Sequence, residues 1–282
     1  MEYNKNNFFF LVSFDPICVT SWYNERKNKG GNRMKLTALG VWGGYPTRDA
    51  GTTSYLLQSE SGYNLLLDCG SRAVTELEHE LQPTQLDAVI LSHYHEDHIA
   101  DLGALRQYRQ LFPLGEAGWD GMILPIYGHA ENEYEFSKLT LEHVTQGHAY
   151  DTENGLNLGP FEISFLKTVH PVTNFAMRIF EKKTGQTIVY TGDTGYFDAL
   201  IDFSKHATIL LADVYFFKEK SKMPNHLSSV EAGEIAQRAG VKKLILTHLP
   251  QFGDLNLLQK EAQDAAGSVS VDLAYPHEKW QL

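Results

Sequence analysis

The 282-residue sequence is poor in cysteine and in positive charge. Its two cysteines, Cys18 and Cys69, argue against a disulfide framework. Lysine and arginine number 24 against 35 acidic residues, which gives a formal net charge of −11. Proteins that bind long nucleic acid usually carry a basic patch, because phosphate contacts dominate their affinity. The sequence therefore disfavours long nucleic acid as a partner but leaves room for a short or single phosphodiester.

An apolar run long enough to cross a membrane is also missing. The most apolar N-terminal stretch, MEYNKNNFFFLVSFDPICV, is interrupted by Asp15 and Pro16, whereas a membrane-spanning helix needs about 20 apolar residues. The stretch has no clear small-residue cleavage site, so it is not typical of a secretory signal. We expect a protein without membrane association that is located in the cytoplasm.

The first residues of the chain differ in character from the rest. The polar, glycine-bearing run NERKNKGGNR is typical of a linker, and Met34 directly precedes the strand-like run KLTALG. We expect residues 1–33 to form a dispensable N-terminal extension. Residues 34–282 should form a single domain, a length that one hydrophobic core can support.

Short apolar runs that are typical of strands dominate this domain. They include KLTALG, TSYLLQS, YNLLLDCG, DAVILS, FEISFLKTVH, TIVYTGDT and KLILTHL. Helical spacing appears near residues 73–81, 101–112, 197–205, 228–239 and 257–266. Strands that come in groups with helices after them indicate an α/β fold of two mixed sheets face to face, with helices outside.

Four potential metal ligands crowd into the motif SHYHEDHIADLGAL at residues 92–105. The motif lies between a strand-like run and a helical pattern, at the edge of a sheet, where α/β folds place their ligands. Because residues two apart in an extended loop face the same way, His93 and His95 can chelate one ion. Asp97 and His98 are offset from that pair and suit a second ion. Chance clustering on a polar loop is the alternative.

Three distant polar residues also end apolar strands. His170 precedes Pro171, Asp193 precedes a Thr-Gly turn, and His248 is followed closely by Pro250. Proline cannot continue the hydrogen-bond ladder of a strand. Each residue alone could be an ordinary loop residue, but together they are expected to converge on the rim that carries the motif.

The motif HYHEDH followed by His170, Asp193 in TGDT and His248 in LTHLP resembles the metal motifs of the metallo-β-lactamase superfamily. The resemblance covers roughly residues 34–282, and it implies the four-layer αβ/βα sandwich and a hydrolase domain. Carried over by position, it assigns the metal ligands: His93, His95 and His170 for one ion, Asp97, His98 and His248 for the other, and Asp193 as the bridge.

Two divalent ions are the implied cofactors. Imidazole and carboxylate ligands suit zinc, and manganese or iron are alternatives. Two ions about 3.5–4 Å apart can share a hydroxide and clamp the oxygens of an in-line displacement. The resemblance therefore implies an enzyme that hydrolyses its substrate with a metal-bridging hydroxide. A similarity of the segment before His248 to one branch of the superfamily favours a phosphodiester or cyclic phosphate as that substrate.

The segment NHLSSVEAGEIAQRAGVKKLILTHLP is similar to the ribonuclease Z branch of the superfamily. Ser228 and Glu231 form a capping-box pattern, which places His226 just before a helix. In that branch a histidine at this position helps to protonate the leaving group or to stabilise the phosphate, and a glutamate orients it. Here TILLADVYFF offers Asp213 instead, one methylene shorter. The catalytic candidates are therefore Asp97, His226 and Asp213.

The long basic arm of ribonuclease Z is absent. Only residues 171–192 lie between His170 and Asp193, and they read as a hairpin. The chain thus looks like the short, arm-less bacterial metallo-hydrolases of phosphodiesterase type, with a small-molecule or short phosphodiester substrate and a homodimeric state. A tRNA 3′-processing endonuclease of ribonuclease Z type, or a thioesterase or lactonase of the same fold, is the alternative.

Other residues receive simpler interpretations. A non-enzymatic scaffold is disfavoured because every expected ligand is present. Asp68 in LLLDCG is expected to support the metal site from behind. The remaining histidines are expected on the surface or in loops: His79, His129, His143, His148, His206 and His277.

Overall fold

Two mixed β-sheets form the centre of the protein, whose computed structural model describes residues 33–282. The strands of the first sheet are β1 Lys35–Trp42, β2 Gly51–Thr52, β3 Ser54–Gln58, β4 Asn64–Leu67, β5 Ala88–Ile90, β6 Leu124–Gly128 and β7 Thr145–Ala149, joined by β15 Lys279–Gln281. The strands of the second sheet are β8 Leu156–Leu158, β9 Phe161–Lys167, β10 Phe175–Glu181, β11 Thr187–Tyr190, β12 Ile209–Asp213, β13 Lys243–Thr247 and β14 Ser270–Leu273.

The strand order brings the ends of several parallel strands to one rim. The first sheet runs β15-β1-β3-β4-β5-β6-β7, with β2 added beside β1, and β4 to β7 are parallel. The second sheet runs β14-β13-β12-β11-β10-β9-β8, and β11 to β14 are parallel. The strand β15 lies antiparallel to β1, with Lys35 opposite Gln281.

Helices cover the outer faces of both sheets. They are α1 Ala73–Leu77, α2 Glu96–Ile99, α3 Leu102–Leu111, α4 Glu133–Ser137, α5 Ala199–Ser204, α6 Ser229–Ala239 and α7 Leu255–Ala266, with short 3-10 turns at Pro83–Gln85, Glu116–Gly118 and Lys218–Lys220. The capping box predicted at the start of α6 is confirmed, because the side chains of Ser228 and Glu231 bond each other's backbone N–H groups. The helix predicted near residues 73–81 is shorter, and turns follow Leu77.

Three apolar clusters hold the layers together. The central cluster lies between the sheets and joins, among others, Tyr55 and Ile90 to Met177 and Tyr190. A second cluster packs the second sheet against α5, α6 and α7, and a third packs the first sheet against α1 and α3. Burial of this apolar surface is the main driving force for the fold. The order helix, sheet, sheet, helix confirms the four-layer αβ/βα sandwich.

The predicted N-terminal extension, residues 1–33, lies outside the described residues except for Arg33, so its dispensability stays a prediction. Met34, the expected first residue of the domain, is fully buried. Within residues 33–282, no helix combines the length and the hydropathy that a membrane crossing requires.

Candidate metal centre

The polar residues singled out at strand ends meet at one rim between the two sheets. The strand β5 leads into His93 and His95, and His95 is the N-cap residue of α2, which carries Asp97 and His98. His170 follows β9, Asp193 follows β11 and His248 follows β13. The structure therefore brings together every residue that was assigned as a metal ligand.

One group of ligand atoms consists of His93, His95, His170 and Asp193, whose donor atoms all lie within 4.8 Å of one another. Nε2 of His170 is 3.3 Å from Nδ1 of His95, and Nε2 of His93 is 3.6 Å from Oδ2 of Asp193. Ligands placed tetrahedrally around zinc at 2.0–2.1 Å lie about 3.3 Å apart. These separations suit one ion.

A second group consists of Asp97, His98, Asp193 and His248, again within 4.8 Å. Nε2 of His248 is 3.1 Å from Oδ2 of Asp97 and 3.3 Å from Oδ2 of Asp193. Nε2 of His98 is 3.2 Å from Oδ1 of Asp193. Asp193 belongs to both groups, the position expected of a bridging ligand.

Several buried ligand atoms of this cluster lack a well-formed hydrogen bond, which fits a cation. Nε2 of His93, Nε2 of His98 and both carboxylate oxygens of Asp193 lie close together, but among the described residues their contacts do not have hydrogen-bond geometry. Burying polar atoms without partners costs free energy. Two divalent ions, one in each ligand group, would satisfy all of these atoms.

The electrostatics of the cluster also favour positive charge. Burial lowers the pKa of His98, but the carboxylates of Asp193 and Asp68 outweigh it and raise that pKa to about 10. The pKa of His248 is raised for the same kind of reason, by Asp193 and Asp213 against the effect of burial. Because the carboxylates stabilise a proton so strongly, they would equally stabilise a metal cation in its place.

Asp68 supports the cluster from behind. Its carboxylate accepts hydrogen bonds from the backbone N–H of Ser92 at 2.7 Å, the hydroxyl of Ser92 at 2.8 Å and the hydroxyl of Tyr190 at 2.5 Å. It also lies 2.7 Å from Nδ1 of His98. An imidazole whose Nδ1 is bound by a carboxylate presents Nε2 to the metal in a fixed orientation. Asp68 therefore fixes His98.

The pair expected to serve the leaving group is also in contact. Nδ1 of His226 lies 2.8 Å from Oδ2 of Asp213, at the end of β12. The other oxygen of Asp213 lies 3.2 Å from Nδ1 of His248. The His226 ring stacks on the His248 ring, with centroids 4.9 Å apart. The shorter side chain of aspartate thus reaches the histidine.

Several contributors were missed by sequence reasoning. The backbone N–H of Gly44 donates to Oδ2 of Asp97 at 2.7 Å, and a Cβ added at Gly43 would lie 2.4 Å from the His248 ring. Tyr190 was read only as part of an apolar strand. His129 lies in a loop after β6, as expected, but it is not on the surface, because only 2% of the residue is exposed. For the two glycines, the pair in VWGGY was the one available sequence signal of a close approach to the site.

Comparisons with known proteins identify the family of this chain. The family described as Metallo-beta-lactamase superfamily matches residues 47–248. The probable metallo-hydrolase YhfI of Bacillus subtilis is 45% identical over 231 residues, which cover 82% of this chain and 93% of that protein. Its crystal structure superposes with a TM-score of 0.83 at 43% identity, over 89% of this chain and 100% of that chain.

More distant relatives extend the comparison. Ribonuclease Z of Anoxybacillus flavithermus is 23% identical over 277 residues, which cover 77% of this chain and 86% of that protein. A diphosphatase of the PhnP family shares the fold, with a TM-score of 0.69 at 20% identity over 89% of this chain and 98% of that chain. The expected resemblance to the ribonuclease Z-like branch is confirmed.

Proposed function

The chain belongs to the metallo-β-lactamase superfamily and to its metallo-hydrolases, and we propose that it is a dinuclear metal-dependent phosphodiesterase. The observation that carries this proposal is the sharing of Asp193 by the two groups of ligand atoms. Beside them lies a histidine that belongs to neither group, His226, held by Asp213. Phosphodiester hydrolysis needs a site that binds the phosphate oxygens and a group that passes a proton to the leaving oxygen.

The ligand types fit two divalent ions, with zinc preferred and manganese or iron as alternatives. When bound, such ions supply positive charge for the phosphate oxygens and a nucleophilic hydroxide at neutral pH. The protein's own task is to keep the ligand atoms buried and correctly oriented. Asp68 does so for His98 and the Gly44 N–H for Asp97, at 2.7 Å in both cases.

His226 is proposed as the residue that passes a proton to the leaving oxygen. Its Nδ1 faces Asp213 at 2.8 Å, so Nε2 points away from that carboxylate. A carboxylate that holds one ring nitrogen fixes the ring and leaves the other nitrogen available for proton transfer. The ring centroid of His226 lies 5.5 Å from that of His170 in the metal cluster, close to where a bound phosphodiester would sit.

A small or short substrate is proposed because the chain between the two motifs is short. Residues 171–192 contain β10 and β11, which pair as an antiparallel hairpin, and short loop segments before, between and after them. This hairpin offers no arm for a long RNA, and the net charge of −11 disfavours a polyanion. The similarity to ribonuclease Z supports a precursor tRNA as the second candidate substrate. By the family resemblance we also propose that the protein is a homodimer in the cytoplasm. Light scattering, which measures the molar mass, tests the dimer.

A hydrolysis screen tests the proposed function. The purified protein, loaded with Zn²⁺ or Mn²⁺, is incubated with bis(p-nitrophenyl) phosphate, cyclic nucleotides, a precursor tRNA, a thioester and a lactone. We expect turnover of the diesters that is lost in His95→Ala and retained in His143→Ala, whose side chain is 85% exposed. Turnover of the thioester or the lactone with inert diesters would overturn the proposal.

A further inference from the structure

A cavity of about 530 Å³ opens directly beside the candidate metal centre. His95, a member of the first ligand group, forms one wall of it. The other walls come from Tyr94, from His129 directly after β6, and from Glu131, Asn132, Glu133 and Glu135 at the start of α4, while Val172 adds an apolar surface. A substrate group attached to a phosphate that is bound at the metal centre can therefore extend into this cavity.

His129 is the polar group in this cavity that most clearly lacks a partner. Only 2% of the residue is exposed, and neither ring nitrogen makes a hydrogen bond of ordinary geometry within residues 33–282. Burial lowers its pKa even though the Glu131 carboxylate and the Thr173 carbonyl lie nearby. The ring is therefore neutral at pH 7 and offers one donor and one acceptor. Buried hydrogen-bonding atoms without a well-formed partner cost free energy, which a ligand that bonds to them would offset.

The charged groups that line the cavity are carboxylates. Glu131, Glu133 and Glu135 contribute to the walls, and no lysine or arginine does so among the described residues. Lys167 pairs with Glu131 at 2.6 Å and Lys138 with Glu135 at 2.7 Å, but neither amine is part of the lining. Ionised carboxylates only accept hydrogen bonds. Each of these ion pairs uses only one oxygen of its carboxylate, so the lining still favours a ligand group that supplies donors over one that brings a negative charge.

We propose that this cavity is the recognition subsite of the enzyme and that it binds a nitrogen-bearing group with N–H donors and no negative charge, attached to the scissile phosphate. His129 and Glu131 are the specificity-determining residues in this assignment. The carboxylates reject an anionic extension, such as a further phosphate of an RNA strand. This inference rests on the proposed phosphodiesterase function, and it adds a substrate class to it.

The test uses phosphodiesters that share p-nitrophenol as leaving group and differ in the second ester. The informative pair is 2-carbamoylethyl and 2-carboxyethyl, which have nearly the same shape but differ in carrying N–H donors or a negative charge. We expect the carbamoyl ester to have a KM about tenfold below that of the carboxy ester, because a hydrogen bond to a charged acceptor is worth about one power of ten in affinity. With the leaving group constant, the kcat values should differ much less.

Variants identify the cavity as the source of this preference. His129→Phe keeps an aromatic ring but removes both nitrogens, and the double variant Glu131→Gln, Glu133→Gln removes two carboxylates. In both proteins we expect the ratio of the two KM values to fall towards one. Glu142→Gln removes one carboxylate charge from an 86% exposed side chain outside the cavity and should keep the wild-type ratio. A ratio that is unchanged in the cavity variants, or that falls equally in Glu142→Gln, would overturn the proposal.

A binding measurement separates this inference from the function on which it rests. In the same holoenzyme, NMR follows the imidazole signals of His129, assigned through His129→Phe, during titration with the methyl 2-carbamoylethyl diester, which carries no activated leaving group. Shifts that saturate support the subsite even if no diester is hydrolysed, in which case only the proposed function fails. Hydrolysis of diesters without any perturbation of His129 would overturn the subsite and leave the function standing.

Discussion

One carboxylate, that of Asp213, contacts two histidines with different assignments. Oδ2 lies 2.8 Å from Nδ1 of His226, and Oδ1 lies 3.2 Å from Nδ1 of His248. Thr194 completes the arrangement by donating its backbone N–H to Oδ2 at 2.9 Å. Asp213 therefore orients the proposed proton donor and a candidate metal ligand together, which ties the position of the donor to the metal cluster.

Replacing His226 by alanine should slow substrates according to their leaving group. An alkoxide leaves poorly without a proton, whereas nitrophenolate leaves well unaided. Because general-acid help is worth about 10²–10⁴-fold, hydrolysis of an alkyl diester should fall by that factor and hydrolysis of a nitrophenyl diester much less. Steady-state kinetics of both substrates measure the difference.

Metal analysis of the same variant decides between two roles for His226. Its ring also lies within 4.8 Å of ligand atoms of Asp193, Asp213 and His248. We expect a metal content of two ions per chain, unchanged from the wild type. Loss of an ion, or an equal loss of rate for both substrates, would make His226 a ligand or a binding residue. Asp213→Asn should reproduce part of the kinetic defect.

Replacement of a metal ligand should lower the metal content to different extents at a ligand of one group and at the ligand shared by both groups. His95→Ala affects one ligand group, whereas Asp193→Ala affects both. We expect both variants to lose activity, with the first retaining more metal than the second, while circular dichroism shows the fold intact. Elemental analysis after gel filtration measures the ions. Wild-type protein with a single tightly bound ion and full activity would contradict the dinuclear mechanism.

Asp68→Asn should weaken metal binding without touching a ligand atom. The carboxylate collects the contacts from Ser92, Tyr190 and His98, and the loss of such support typically costs about 10–100-fold in metal affinity. Competition with a chromophoric chelator measures the affinity. Tyr190→Phe, which removes only one donor to Asp68, is the matched control and should cost less. Equal affinities in wild type and Asp68→Asn would show that His98 needs no such support.

Deletion of residues 1–33 should leave turnover and thermal stability nearly unchanged. The buried position of Met34 and the pairing of β1 with β3 and β15 involve residues that the truncated chain keeps. Thermal unfolding and diester hydrolysis of both proteins provide the comparison. An insoluble or inactive truncated protein would show that these residues belong to the domain.

The sequence predicted those parts of the site in which chemistry and strand ends coincide. His170, Asp193 and His248 each end an apolar run, and parallel strands carry such residues to one rim. Tyr190 and His129 could not be predicted in the same way. Alternation along a strand tells which face a side chain occupies, but it does not tell that the Tyr190 hydroxyl meets Asp68, which lies far away in the sequence. Likewise, nothing local in YGHAENE indicates that the second sheet covers His129, whose ring lies 5.7 Å from that of Phe175.

The pairing of β15 with β1 has a consequence for how the chain folds. Lys35, Leu36 and Thr37 lie opposite Gln281, Trp280 and Lys279. Such long-range contacts form slowly, because a large loop must close before they contribute. During synthesis, β1 leaves the ribosome early and must wait as an open strand edge until β15 emerges. An unpaired edge is a template for association with other chains, so nascent chains that stall before residue 279 should be the species most prone to aggregate and most dependent on chaperones.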